Sequence, residues 1–231
     1  MNHKNSIRRL ESLNFDSVPE AQRVVFLRLD LNLPLQNGEI SDETRLLAAL
    51  PTIEWLLEKK VKIIICSHLG RPKGTGFEKD FSLTPIAERL ALKLNKEILL
   101  VEDYLEDDFL KIVSTLNPAE EIILLENIRF HKEEQAGDVE FAQKLAKPAS
   151  FYVNDAFGTS HRADASIVAV AECFPAARRA ARRAHYPVHP VGVLDQHVGA
   201  SPDAALGSFA EAALIIGEHR QAMGAAGQQA E

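Results

Sequence analysis

The sequence predicts an α/β fold: a parallel sheet flanked by helices, a Rossmann-like three-layer sandwich, followed by a tail to which no fold can be assigned. Short β-branched apolar runs alternate with segments of helical period through the first three quarters of the 231 residues. Strands separated by helical stretches pair in parallel through crossover helices, which cover both faces of the sheet. One run, Val61 to Cys66, is apolar almost throughout, as strands buried on both faces tend to be.

Taken in order, Val24 to Asp30 (VVFLRLD) reads as a strand ending in a polar loop. A helix begins near Ser41 or Asp42, where Asp42 and Glu43 suit its positive end. Leu46, Leu47, Leu50, Ile53, Leu56 and Leu57 then recur at helical spacing, and Pro51 inside that pattern predicts a kink or a break. Val61 to Cys66 is the second strand, Pro85 to Leu94 the next helix, and Glu97 to Val101 the next strand. Glu120 to Leu125 is a strand, Val139 to Ala146 a helix, and Phe151 to Asn154 a further strand.

The chain changes character after Pro175. No lysine follows Lys147, and residues 176–231 are rich in alanine, arginine, histidine and glycine. They hold five basic residues (Arg178, Arg179, Arg182, Arg183, Arg220) against five acidic ones, so the formal charge of −7 belongs to what precedes them. The sequence therefore divides into a domain over 1–175 and an atypical tail over 176–231, and a frameshifted or fused reading frame would account for the loss of lysine.

A charge of −7 argues against a nucleic-acid binder, which normally carries a basic surface. It leaves room for an anionic substrate, because a few arginines gathered in one cleft outweigh a mildly acidic exterior. Cys66 and Cys173 are the two cysteines; Cys66 lies in an apolar run and reads as a buried free thiol, which fits a reducing compartment. The first residues lack an apolar core of signal-peptide length, and no stretch approaches the ~20 apolar residues that span a bilayer. A cytoplasmic protein with no membrane partner is expected.

In an open α/β sheet, ligands bind outside the carboxyl ends of the strands, and the polar residues fall there. The first strand is followed by Asp30 and Asn32, the second by Ser67, His68 and Arg71. Asn127 and Arg129 follow the strand that ends at Leu125, and Asp155, His161 and Arg162 follow the last. Arg45 lies in the first turn of the helix after the first loop. Arginine binds phosphate and carboxylate through paired donors and stays charged in a cleft, so a small anionic substrate is predicted.

RLDLNLPL, then ETR and ALPTI, then SHLGRPKG, LLENIRFHKEE and YVNDAFGTSHRADAS occur in this order. Over roughly residues 20 to 172 the chain thereby resembles the N-terminal, 3-phosphoglycerate-binding half of phosphoglycerate kinase. The resemblance implies phosphoryl transfer between 1,3-bisphosphoglycerate and ADP, giving 3-phosphoglycerate and ATP, in a family whose members are usually monomeric. It also implies roles. Asp30 and Asn32 match positions that hold the substrate's hydroxyl and carboxylate end, and His68 and Arg71 match positions lining the pocket. Arg129 and Arg162 match the basic patch that holds the non-transferring phosphate. Arg45 matches the catalytic arginine that approaches the transferring group, where charge stabilisation matters most.

Plainer readings stand beside these. Taken singly, arginines in an acidic protein are surface ion-pair partners, and Asp30 and Asn32 are turn residues before Pro34. The motif context outweighs this for the substrate set, but leaves Ser67, Asp155 and His161 as structural residues. AARRAARRAH has four charges and no aromatic partner nearby, and His185, His189, His197 and His219 are too scattered for a zinc site. HLGRPKGTG lacks the terminal Lys-Ser/Thr pair of a phosphate loop that binds nucleotide.

The resemblance implies Mg-ADP/ATP as cofactor, held in a second domain whose glycine-rich segments and lysine have no counterpart in this sequence. The isolated chain is therefore expected to be inactive, with a non-catalytic 3-phosphoglycerate-binding fragment as the alternative reading.

Overall fold

A computed structural model describes residues 8–181, whose chain order is as follows. Strand β1 (Val24–Leu29) leads through a small hairpin, β2 (Leu35–Gln36) and β3 (Glu39–Ile40), into helix α1 (Thr44–Glu58). Then come β4 (Lys62–Cys66), α2 (Thr84–Leu94), β5 (Glu97–Val101), α3 (Asp108–Thr115) and β6 (Glu121–Leu125). The short α4 (Lys132–Ala136), α5 (Val139–Ala146), β7 (Phe151–Asp155), α6 (Ala169–Glu172) and β8 (Arg179–Ala181) complete it.

Six strands form one sheet in the order β5-β6-β4-β1-β7-β8, and every pairing in it is parallel. The α/β fold with helices on both faces is thus as the sequence predicts. Alternation along each strand separates two cores. Val25, Leu27 and Leu29 of β1 join Ile63 and Ile65 of β4 under α1, α2 and the N-terminal residues Leu10, Leu13 and Phe15. Val24 and Phe26 join Ile64, Cys66, Ile123 and Tyr152 under α3, α5 and α6.

Three details depart from the sequence reading. Helix α1 runs unbroken through Pro51. Pro51 is exposed, so the backbone bond that it cannot make lies on the solvent side, where water satisfies the freed carbonyl. The helix also starts at Thr44 rather than Ser41 or Asp42; Asp42 Oδ1 accepts from the Thr44 backbone N–H at 2.8 Å and its hydroxyl at 2.6 Å. Helix α3 has no clear signal in the sequence, because its eight residues include β-branched Ile112, Val113 and Thr115. Phe109 and Val113 bury one side of it against the sheet, and this packing outweighs propensity.

The expected domain boundary at residue 175 falls just before β8, which pairs Arg179, Ala180 and Ala181 with Tyr152, Val153 and Asn154 of β7. The rest of the tail, including the four scattered histidines, lies outside the described residues. No helix among those described is long and apolar enough to cross a membrane.

The order of the sheet selects one crevice. From β1 the chain crosses toward β4, and from β7 it crosses the opposite way, to β8. Such a reversal opens a cleft beyond the carboxyl ends of the two strands between which it occurs, here β1 and β7.

Candidate functional site

The loops at this cleft are held by backbone bonds that few residue types permit. Ser67, after β4, accepts from the Leu31 backbone N–H at 2.9 Å and donates to the Leu29 carbonyl at 3.0 Å. It therefore ties the loop after β1 to that after β4, and its structural reading holds. Asn32 Oδ1 accepts from the Gly70 backbone N–H at 2.8 Å, a second tie between the same loops. Gly70 has φ +60° and lies against Phe81, whose ring is 2.5 Å from where a Cβ would stand. Gly158, after β7, approaches Asp30 so closely that a Cβ would lie 2.5 Å from Oδ2, so a larger residue there would push the carboxylate aside.

Arg45 reaches back from α1 across the mouth. Its Nη1 donates to Asp30 Oδ1 and to the Asn32 carbonyl, both at 3.1 Å. The side chain is 52% exposed, so the pair lies at the surface and contributes only about 0–1 kcal/mol. Asn32, Leu33, Pro34, Asp42 and Arg45 line an open depression of about 400 Å³ beside it.

Deeper in, Arg129 donates from Nη1 to the Gly70 carbonyl at 2.8 Å and faces Asp164 Oδ2 at 3.7 Å from Nη2. Its Nε is buried with no hydrogen-bond partner among the described residues. Arg162 donates from Nε to the same Asp164 oxygen at 2.8 Å, which raises its pKa. One carboxylate thus braces two guanidinium groups. Burial pulls the pKa of Arg129 down and the nearby charge of Arg162 adds to this, yet arginine remains a cation at any ordinary pH.

His68 is buried among these charges. Desolvation, followed by Arg28, Arg129, Arg162 and Arg45, pushes its pKa down to about 2. The ring is therefore neutral at physiological pH. Four guanidinium groups from four separate segments thus act electrostatically on one imidazole.

Of the residues predicted from sequence, Asp30, Asn32, Arg45, His68, Arg129 and Arg162 are drawn together in this way. Arg71 is exposed and is not among the charges acting on His68. Asp155 accepts from Thr52 of α1 at 2.6 Å, in keeping with its structural reading, and His161 is exposed. Arg28 was missed, although it stands in the RLDLNLPL motif. Its signal was a charge within an otherwise apolar run; it is fully buried and donates from Nη2 to His68 Nδ1 at 3.2 Å. Asp164 was missed as well, since its partners are known only once the loop is folded.

Fold and site together define a class: an α/β domain with an arginine-rich cleft at the carboxyl edge of its sheet. The family follows from comparison. The phosphoglycerate kinase family model matches residues 15–181, and the chain belongs to that family. The phosphoglycerate kinase of Dictyoglomus turgidum is 50% identical over 151 residues, covering 65% of this chain and 37% of the relative. The enzyme named "Phosphoglycerate kinase, cytosolic" from Triticum aestivum is 50% identical over 147 residues, 63% of this chain and 36% of the relative. Among solved structures, the phosphoglycerate kinase of Coxiella burnetii superposes with a TM-score of 0.65 at 37% identity, covering 77% of this chain and 41% of that one. The chain therefore spans roughly two fifths of the length of the relatives it matches.

Proposed function

We propose that the domain binds 3-phosphoglycerate and 1,3-bisphosphoglycerate, as the substrate-holding half of phosphoryl transfer between 1,3-bisphosphoglycerate and ADP. The observation that carries this reading is the gathering of Arg129 and Arg162 on one Asp164 oxygen, with Arg45 held on Asp30 at the mouth of the same cleft. A dianionic phosphate placed beside Arg129 and Arg162 offers acceptors to the unpartnered Arg129 Nε and to guanidinium donors already braced by Asp164. In this reading Asp30 and Asn32 take the hydroxyl and carboxylate end, and Arg71 supplies a further cation at the rim. Arg45 has the catalytic role: its exposed pairing with Asp30 costs little to exchange, so the guanidinium is free to follow the charge of the transferring group. The proposed setting is the cytoplasm, and the substrate is a small anion rather than a nucleic acid or a membrane.

The described residues do not fit Mg-ADP/ATP. Asp30 and Asp164 are both engaged by arginines, and no group of three or more His, Cys, Asp and Glu among the described residues is placed to hold a metal ion. The 231-residue chain alone is expected to bind substrate without turning it over.

Calorimetric titration of the purified chain with 3-phosphoglycerate, beside Arg71→Ala and Arg162→Ala, tests the binding. Saturable binding weakened in both variants is expected; no binding by a cooperatively folded chain would overturn the reading. ATP formation from 1,3-bisphosphoglycerate and ADP by the pure chain would refute its inactivity.

A further inference from the structure

Beneath the cleft is a chain of buried polar groups that the binding reading does not use. Arg28 projects from β1 with no exposed surface. Its Nε donates to Ser166 Oγ at 2.8 Å, its Nη1 to the Leu29 carbonyl, and its Nη2 to His68 Nδ1 at 3.2 Å. Ser166 passes its own proton on, its hydroxyl donating to Glu134 Oε1 at 2.6 Å while its backbone N–H donates to Oε2 at 2.8 Å. Glu134 is itself fully buried on α4.

The directions of these bonds follow from chemistry. A guanidinium carries only donors, so each atom that Arg28 meets must accept. Ser166 Oγ accepts through a lone pair and keeps its one proton for Glu134. His68 Nδ1 must likewise present a lone pair. In a neutral imidazole one nitrogen bears the proton and the other accepts, so acceptance at Nδ1 puts the proton on Nε2. No other hydrogen bond to the His68 ring is found among the described residues.

We propose that Arg28 is a positioning residue that fixes His68 as the Nε2–H tautomer, with Ser166 and Glu134 fixing Arg28 in turn. The cleft then holds one neutral donor among its cations. The opposite tautomer would present a lone pair to an anion, replacing attraction with repulsion. Arg28 acts through the ring and not by contact, since it has no surface that a ligand arriving from solvent reaches. The consequence for affinity rests on the proposed binding of 3-phosphoglycerate; the tautomer itself does not.

The two parts are separable by experiment. Ring ¹⁵N spectra of the full chain at neutral pH, with His68 assigned by its loss in His68→Gln, are expected to show a pyrrole-like Nε2 and a pyridine-like Nδ1. A protonated Nδ1, or a doubly protonated ring, would overturn the proposal whether or not the chain binds 3-phosphoglycerate. Arg28→Lys keeps a buried cation for Glu134 but loses the planar fork. In that variant His68 is expected to populate both tautomers, and 3-phosphoglycerate to bind roughly tenfold more weakly. A folded Arg28→Lys chain with unchanged ring spectra and affinity would also refute the assignment. Should the lysine variant not fold, the wild-type spectrum alone decides the tautomer.

Discussion

On β1, Val25, Leu27 and Leu29 enter a core that contains apolar side chains along its whole length, while Val24 and Phe26 enter the opposite core and are followed there by Arg28. The same alternation therefore feeds two regions of different kinds. Under α1 and α2 the core is apolar, with Phe15, Trp55 and Phe151 among its aliphatic side chains. Under α4, α5 and α6 it is apolar toward the amino ends of the strands, then holds Arg28, Glu134, Ser166 and Asp164, all buried. The comparison shows how one sheet serves packing and charge at once. A buried cation is costly unless its bonds are satisfied, and Arg28 meets Ser166 and His68 from other segments and the Leu29 carbonyl of its own strand. The apolar face anchors the sheet, and the other carries buried polar groups toward its carboxyl edge.

The sharpest way to test this division is to damage the apolar face. Ile53→Ala, at a fully buried position of α1, is expected to destabilise the chain by about 2–5 kcal/mol while leaving 3-phosphoglycerate affinity nearly unchanged. Denaturant unfolding and calorimetry on the same variant check both halves; a large loss of affinity would break the separation of the two faces.

The converse substitution is Arg129→Ala. Truncating this guanidinium is expected to weaken 3-phosphoglycerate binding by about 1.5–3 kcal/mol, the range for hydrogen bonds to charged groups. Titration calorimetry reads it directly, and affinity equal to wild type would remove Arg129 from the site.

A third measurement uses protons. His68 has its folded pKa pushed from 6.5 to about 2, so below pH 6.5 the unfolded chain takes up a proton that the folded chain refuses. Stability contributed by the neutral ring is thus present above pH 6.5 and is lost progressively as pH falls below it, by up to ~1.4 kcal/mol per pH unit. His131, whose pKa is lowered by burial, acts in the same direction. Unfolding free energy measured between pH 6.5 and 5 is expected to be flatter in His68→Asn than in the wild type. Equal slopes would mean that the ring takes up its proton alike in the folded and unfolded states.

The smallest effect is expected at the mouth. Arg45→Ala should change stability by no more than about 1 kcal/mol, since its pair with Asp30 is half open to water. A thermal melt suffices to check this, and a larger loss would place Arg45 among the structural charges instead of the mobile ones.

Much of this architecture was readable in advance because its signals are local. The apolar run of β4 and the helical spacing of Leu46, Ile53 and Leu56 are settled by neighbours within a few residues, and they predicted the parallel sheet. Motifs such as RLDLNLPL and SHLGRPKG placed Asp30, Asn32, His68 and the arginines at strand ends. Tolerance of Pro51 was not legible, because it depends on which side of α1 faces water. The short β8 was likewise hidden, three residues long and strand only by its pairing with β7.

By itself, then, the sequence determined the fold class, the order of elements and the family, all of which follow from periodicity and contiguous motif. Tertiary structure alone decided which charges meet. Arg28 and Ser166 are 138 positions apart and Ser166 and Glu134 are 32 apart, and neither separation is periodic. A buried guanidinium is defined by the acceptors that fold around it, and those acceptors are chosen by the crossing of β1 beside β7.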